Sequence, residues 1–76
     1  MIMEELLNIL NTLKPGANFS GNLIADHVLD SLSIAMLVGE VNDTFDVEIS
    51  PLDVIPQNFE TVDAIYALIC RLQEKA

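Results

Sequence analysis

The sequence is short of nearly everything that staples, charges or punctuates a small protein. It has one cysteine, no tryptophan, one histidine, three basic residues, three glycines and three prolines in 76 residues. A lone cysteine, Cys70, excludes an internal disulfide and a cysteine-rich zinc site. The fold must therefore rest on packing, as in a reduced cytosolic protein. With only 5% aromatic residues, Leu, Ile and Val must fill the core. A chain this small buries only about 60% of the surface it exposes when unfolded, which leaves little room for an enclosed catalytic pocket. The scarcity of Lys and Arg weighs against nucleic acid and anionic membrane surfaces, both held mainly by those cations. No apolar run approaches the ~20 residues of a membrane span. Met1-Ile2-Met3-Glu4-Glu5 carries acids where a signal peptide carries positive charge. The expectation is one domain over residues 1–76, monomeric, cytoplasmic and without a membrane span.

What the chain does have is acid. Twelve carboxylates against three cations give a formal charge of -9. Charge of this kind either only keeps a greasy small domain in solution or also speeds encounter with basic partner surfaces.

Three long segments carry helical periodicity. Ile2, Leu6, Ile9, Leu10 and Leu13 share one face of a first helix, with Glu4 and Glu5 in the turn where the dipole favours them. Lys14-Pro15-Gly16 stops it. A second helix runs from about Ser31 to Phe45, with Asp30 as its N-cap. Ile34, Leu37, Val38, Val41 and Phe45 form its expected buried stripe. The last helix follows Thr61, with Val62, Ile65, Leu68, Ile69 and Leu72 inward and Arg71 and Lys75 near its C-terminus. Ser50-Pro51-Leu52-Asp53 reads as a cap, a proline at the first helical position and an acid at the third. A short third helix is predicted over roughly Pro51 to Ile55, ended by Pro56. The stretch from Pro15 to Asp30 is a loop longer than most that lack a function, with Leu23, Ile24, Val28 and Leu29 available to pin it down. The predicted fold class is all-α: a four-helix bundle of three long helices and one short one.

Enzymatic constellations are missing. His27 stands alone on the long loop, where a surface role suits it better than general-base work. No histidine or cysteine cluster can hold a transition metal. Asp43, Asp46 and Glu48 lack the glycine and terminal glutamate of a calcium loop. Gly16, Gly21 and Gly39 are too scattered for a phosphate loop. Cys70, next to Ile69 on the last helix, reads as a half-buried structural thiol.

Asp30-Ser31-Leu32 is the remaining feature: a hydroxyl at the mouth of a helix, directly after a long loop. By itself it is an ordinary cap. Its context is not ordinary. Val28-Leu29-Asp30-Ser31-Leu32, then Phe45-Asp46-Val47-Glu48-Ile49-Ser50-Pro51, then Thr61-Val62-Asp63-Ala64-Ile65 together resemble the carrier-protein superfamily. Its members include acyl carrier proteins, peptidyl carrier domains and the D-alanyl carrier of teichoic acid modification. The resemblance covers nearly the whole chain and implies an acyl-carrier-like bundle. It implies that Ser31 receives 4′-phosphopantetheine from coenzyme A, and that the chain, not itself an enzyme, carries acyl or aminoacyl thioesters. The partners it implies are a phosphopantetheinyl transferase, a loading ligase and pathway enzymes with basic docking surfaces.

Docking in that superfamily uses the second helix. Asp30 and Leu32 flank the serine, and Ser33, Met36, Glu40 and Asp43 follow as an expected outward stripe, with Met36 opposite the predicted core face. Glu40 and Asp43 would meet Lys or Arg; Leu32 and Met36 would supply apolar area. Carriers of fatty acid synthesis usually have more acids just after the motif, where this chain has Ser33 and Met36. Gly39 also interrupts the helix, at a cost of up to ~1 kcal/mol against Ala. Ile55-Pro56-Gln57-Asn58-Phe59-Glu60-Thr61 is longer than the housekeeping connection and holds an aromatic. A specialised or D-alanyl-type carrier is therefore expected over the main fatty-acid carrier. From another class, an unmodified acidic interaction module with the same bundle stays open. A hydrolase built on Ser31 fails for want of a base and an oxyanion arrangement.

Overall fold

In the computed structural model, residues 2–75 are described. Four helices appear: α1 (Ile2–Leu13), α2 (Ser31–Phe45), α3 (Pro56–Phe59) and α4 (Val62–Lys75), with a 3₁₀ turn at Pro51–Asp53. No strand occurs among the described residues. Leu6 and Leu10 of α1, Leu37 and Val41 of α2, and Ile65, Leu68 and Ile69 of α4 meet in a core built almost wholly of aliphatic side chains. Each fully buried aliphatic side chain is worth ~1.5–3 kcal/mol, so these few residues bear most of the stability. Among the described residues no helix is long and apolar enough to cross a membrane. The side chain of Lys75, paired with Arg71 in the sequence argument, lies outside the described residues.

The long α1–α2 connection is folded down. After α1, Gly16 turns the chain at φ +77°, a conformation that only glycine takes without strain. Asn18 Oδ1 accepts from the Ser20 amide at 2.9 Å, and Asn22 Oδ1 accepts from the Ile24 and Ala25 amides at 3.0 and 2.9 Å. These side-chain turns replace the hydrogen bonds that regular structure would supply. Leu23 and Leu29 are buried, and Ile24 and Val28 pack at the edge of the core. The Leu23 amide donates to the Glu60 carbonyl at 2.6 Å, tying the loop to the α3–α4 junction. A radius of gyration of 11.3 Å matches the ~11.4 Å of a close-packed chain of this length. The loop adds no sprawl.

The third helix differs from expectation. Pro51 starts only a 3₁₀ turn, held by a capping box in which Ser50 Oγ accepts from the Leu52 amide and Asp53 Oδ2 accepts from the Ser50 amide. That turn ends at Asp53, and Pro56 opens α3 as its first residue. The second fact follows from proline. It forces the residue before it out of the helical region, and Ile55 is extended at φ -125° and ψ 152°. It loses nothing by lacking an N–H at a helix start. Asn58 Nδ2 donates to the Asp53 carbonyl at 2.8 Å, and Arg71 Nη2 donates to Asn58 Oδ1 at 3.3 Å. Arg71 thus serves the 50–58 segment as well as its own helix end.

Candidate functional site

The site is built on the first turn of α2. Asp30 is extended at φ -114° and ψ -177°, and its Oδ1 accepts from the Ser33 amide at 2.8 Å. Its own carbonyl accepts the Ile34 amide at 2.9 Å and so starts the helical ladder. Ser31 is then the first helical residue, and it is exposed. Its amide and that of Leu32 have no carbonyl one turn back to receive them. A hydroxyl here stands beside free N–H groups at the positive end of a helix dipole, where a phosphate oxygen is welcome.

The Asp30 carboxyl is held below its ordinary value of 3.8. The Ser33 amide is the largest cause, the Ser33 hydroxyl adds to it against a desolvation cost, and the positive charge of Lys14 adds a weaker share. A group whose folded pKa is depressed contributes stability above its unfolded pKa, lost as the pH falls through the folded value. Asn at this position keeps the cap but not the charge. The melting-temperature gap between the wild type and Asp30→Asn is therefore expected to be fully open above about pH 4 and to close at lower pH. Thermal melts by circular dichroism from pH 6 to pH 2 check this. A gap that stays constant would mean that the charge of Asp30 adds nothing to the cap.

Of the outward stripe expected on α2, Leu32, Met36, Glu40 and Asp43 are exposed. Ser33 is not. It is 6% exposed and leads the row Ser33, Leu37, Val41 and Phe45, whose members lie four residues apart and all face the interior. Ile34 and Val38, predicted in the core stripe, are only partly buried. Leu37, Val41 and Phe45 are buried as predicted, so the buried face is turned by only ~40° from the one predicted, at ~100° per residue. Ser33 consequently belongs to the cap and the core, not to a docking face.

Two clefts border Ser31. One, of about 400 Å³, lies between Leu29, Ser31 and Ile34 on one side and Val54, Ile55 and Phe59 on the other. The second, of about 530 Å³, is lined by Ser31, Ile34 and Val38 together with Ile49, Pro51 and Val54. Sequence reasoning missed Val54 and Ile55. The available signal was three apolar residues, Leu52, Val54 and Ile55, within the four positions between two prolines. His27 is exposed with a left-handed φ of 60°, as suits a loop histidine. No cluster of His, Cys, Asp or Glu suited to a metal occurs among the described residues.

These features fit a phosphodiester-linked arm: an open hydroxyl, unpaired amides around it, and apolar walls on both sides. The family model of the phosphopantetheine attachment site matches residues 1–69, and the chain belongs to that family. No curated protein matches it at a significant level. The family carries 4′-phosphopantetheine covalently, works with phosphopantetheinyl transferases and pathway enzymes, and is not catalytic. The chain is a carrier and not an enzyme.

Proposed function

We propose that Ser31 Oγ is the attachment point, and that the chain carries acyl or aminoacyl groups as thioesters on the arm held there. The observation that carries this reading is the exposed hydroxyl at the first position of α2, capped by Asp30 and bordered by two clefts. Among the four serines of the chain, Ser31 alone is both exposed and the first residue of a long helix. The bound arm supplies a thiol to which cargo is esterified. The chain's own part is to keep the hydroxyl in solvent, to stabilise the phosphodiester charge with the α2 amides, and to present both to partners. Tethering raises the effective concentration of the cargo at each partner. Addition of one phosphopantetheine by a broad-specificity transferase, lost with Ser31→Ala, tests it.

Partners would meet α2 through Leu32 and Met36, with Glu40 and Asp43 as acidic rim contacts. Rim charges act mainly on the association rate and its salt dependence. The double replacement Glu40→Lys, Asp43→Lys is expected to slow modification several-fold at low salt and less at high salt. Both residues are exposed, so the helical circular dichroism signal should not change. Rates equal to wild type at low salt would remove these two acids from the docking face.

The subtype reading also rests on α2. Its first turn contains no acid, and its exposed face begins with Leu32, Ala35 and Met36. This favours a carrier dedicated to a specialised pathway, with a D-alanyl or other aminoacyl carrier served by its own adenylating ligase as the second reading. Failure of the unchanged chain to accept the arm, under conditions that modify a known carrier, would leave an unmodified acidic interaction module.

A further inference from the structure

Val54 lines both clefts that border Ser31, and Ile55 lines one of them. Neither residue lies in a helix. Val54, at φ -86° and ψ 74°, is the centre of an inverse γ-turn, in which the Ile55 amide donates to the Asp53 carbonyl at 3.0 Å. A hydrogen bond across so tight a turn is bent, and bent bonds are weak. The turn has a second support. The same Asp53 carbonyl accepts from Asn58 Nδ2 at 2.8 Å, and the Asn58 main-chain amide donates to the Ile55 carbonyl at 3.0 Å. Among the described residues no other side chain hydrogen-bonds to the main chain of 53–55.

Asn58 is in turn aimed from α4. A carbonyl only accepts and a guanidinium only donates. With the Asp53 carbonyl on one side and Arg71 on the other, the Asn58 amide has one workable orientation: Nδ2 toward Asp53, and Oδ1 toward Arg71 Nη2 at 3.3 Å. The chain of contacts runs from α4 to the wall of two clefts that α4 does not line.

We propose that Asn58 is a positioning residue that sets the wall facing Ser31, and that Arg71 holds Asn58 in the orientation this requires. Because Val54 belongs to both clefts, one side-chain amide fixes the width of both. A group attached at Ser31 would meet, at its root, a wall placed from α4. The positioning itself does not depend on the attachment at Ser31, since the clefts belong to the fold.

Asn58→Asp is the discriminating variant. At neutral pH it offers Arg71 a charged acceptor, which strengthens that tie, but it has nothing to donate to the Asp53 carbonyl. The test is amide exchange with water, read by NMR at pH 7 on the full chain. Exchange at Ile55, measured against the Leu10 amide of α1, is expected to speed about five- to tenfold in Asn58→Asp and Asn58→Ala alike, as for the loss of one hydrogen bond. Arg71→Ala leaves the donor without its aim and should give about two- to threefold. The methyl signals of Ile34, across both clefts from Val54, should shift in all three variants. Exchange at Ile55 within twofold of wild type in both Asn58 variants overturns the proposal. So does an Asn58→Asp chain that behaves as wild type while Asn58→Ala does not, because the tie to Arg71 would then hold the wall by itself. Equal acceleration at Leu10 would mean a general loosening, and unmoved Ile34 methyls would mean that the wall does not bear on the clefts; either result also overturns it.

Discussion

Ser31→Ala is expected to abolish the mass increase that coenzyme A, magnesium and a broad-specificity transferase produce on the unchanged chain. The effect should be complete, because the other serines are poorly placed. Ser33 is buried, Ser20 lies in the long loop and Ser50 caps the 3₁₀ turn. The substitution should also leave the fold alone. Ser31 is exposed, the cap is supplied by Asp30 rather than by Ser31, and alanine is the best helix former. An unaltered circular dichroism spectrum with no added mass is thus the clean result. Persistent addition in Ser31→Ala would move the attachment elsewhere in the chain, and peptide mapping would find it.

The second large effect concerns stability. Phe59 is 1% exposed and heads the fully buried side chains by volume. It belongs to α3, a helix of four residues that has no stability of its own, since isolated helices shorter than ~12–15 residues are marginal. Phe59 is what fastens that helix to the core. Phe59→Ala should cost ~3–5 kcal/mol from lost burial and the cavity left behind. For a domain of this size each kcal/mol lowers Tm by roughly 4–8 °C, so a fall of at least ~12 °C is expected in a thermal melt. Because total stabilities of natural domains begin near ~5 kcal/mol, the variant should be close to unfolding at room temperature. A drop of only one or two degrees would show that α3 is not anchored by this ring.

Phe59 also shows what the sequence could reveal and what it could not. Its place between Pro56 and Thr61 is plain, but in sequence terms it served only as a mark of subtype. Nothing local says that an aromatic after Pro-Gln-Asn turns inward; the packing of α3 on α4 decides that. The α1 and α4 faces were legible because their apolar residues recur with helical spacing amid clear polar positions. Apolar side chains in α2 occur on nearly every side, at Leu32, Ile34, Met36, Leu37, Val38 and Val41. Several wheels were therefore equally plausible, and the choice fell to contacts with α1 and α4. That ambiguity put Ser33 outside. The cap itself, by contrast, depends only on residues three apart, so Asp30, Ser31 and the start of α2 were readable directly. The 3₁₀ turn and α3 were misjudged because a proline's power to end one helix was weighed and its power to begin the next was not.

The hydrogen bond from Leu23 to Glu60 has a bearing on timing. During synthesis the serine leaves the ribosome well before the residues that anchor its approach loop and build the far wall of both clefts. α1, the loop and α2 could form early, yet the landing ground around the hydroxyl is finished only when the α3–α4 junction arrives. Completion of the surface around Ser31 is thus a late event in the life of the nascent polypeptide, written into the distance along the chain between two backbone atoms.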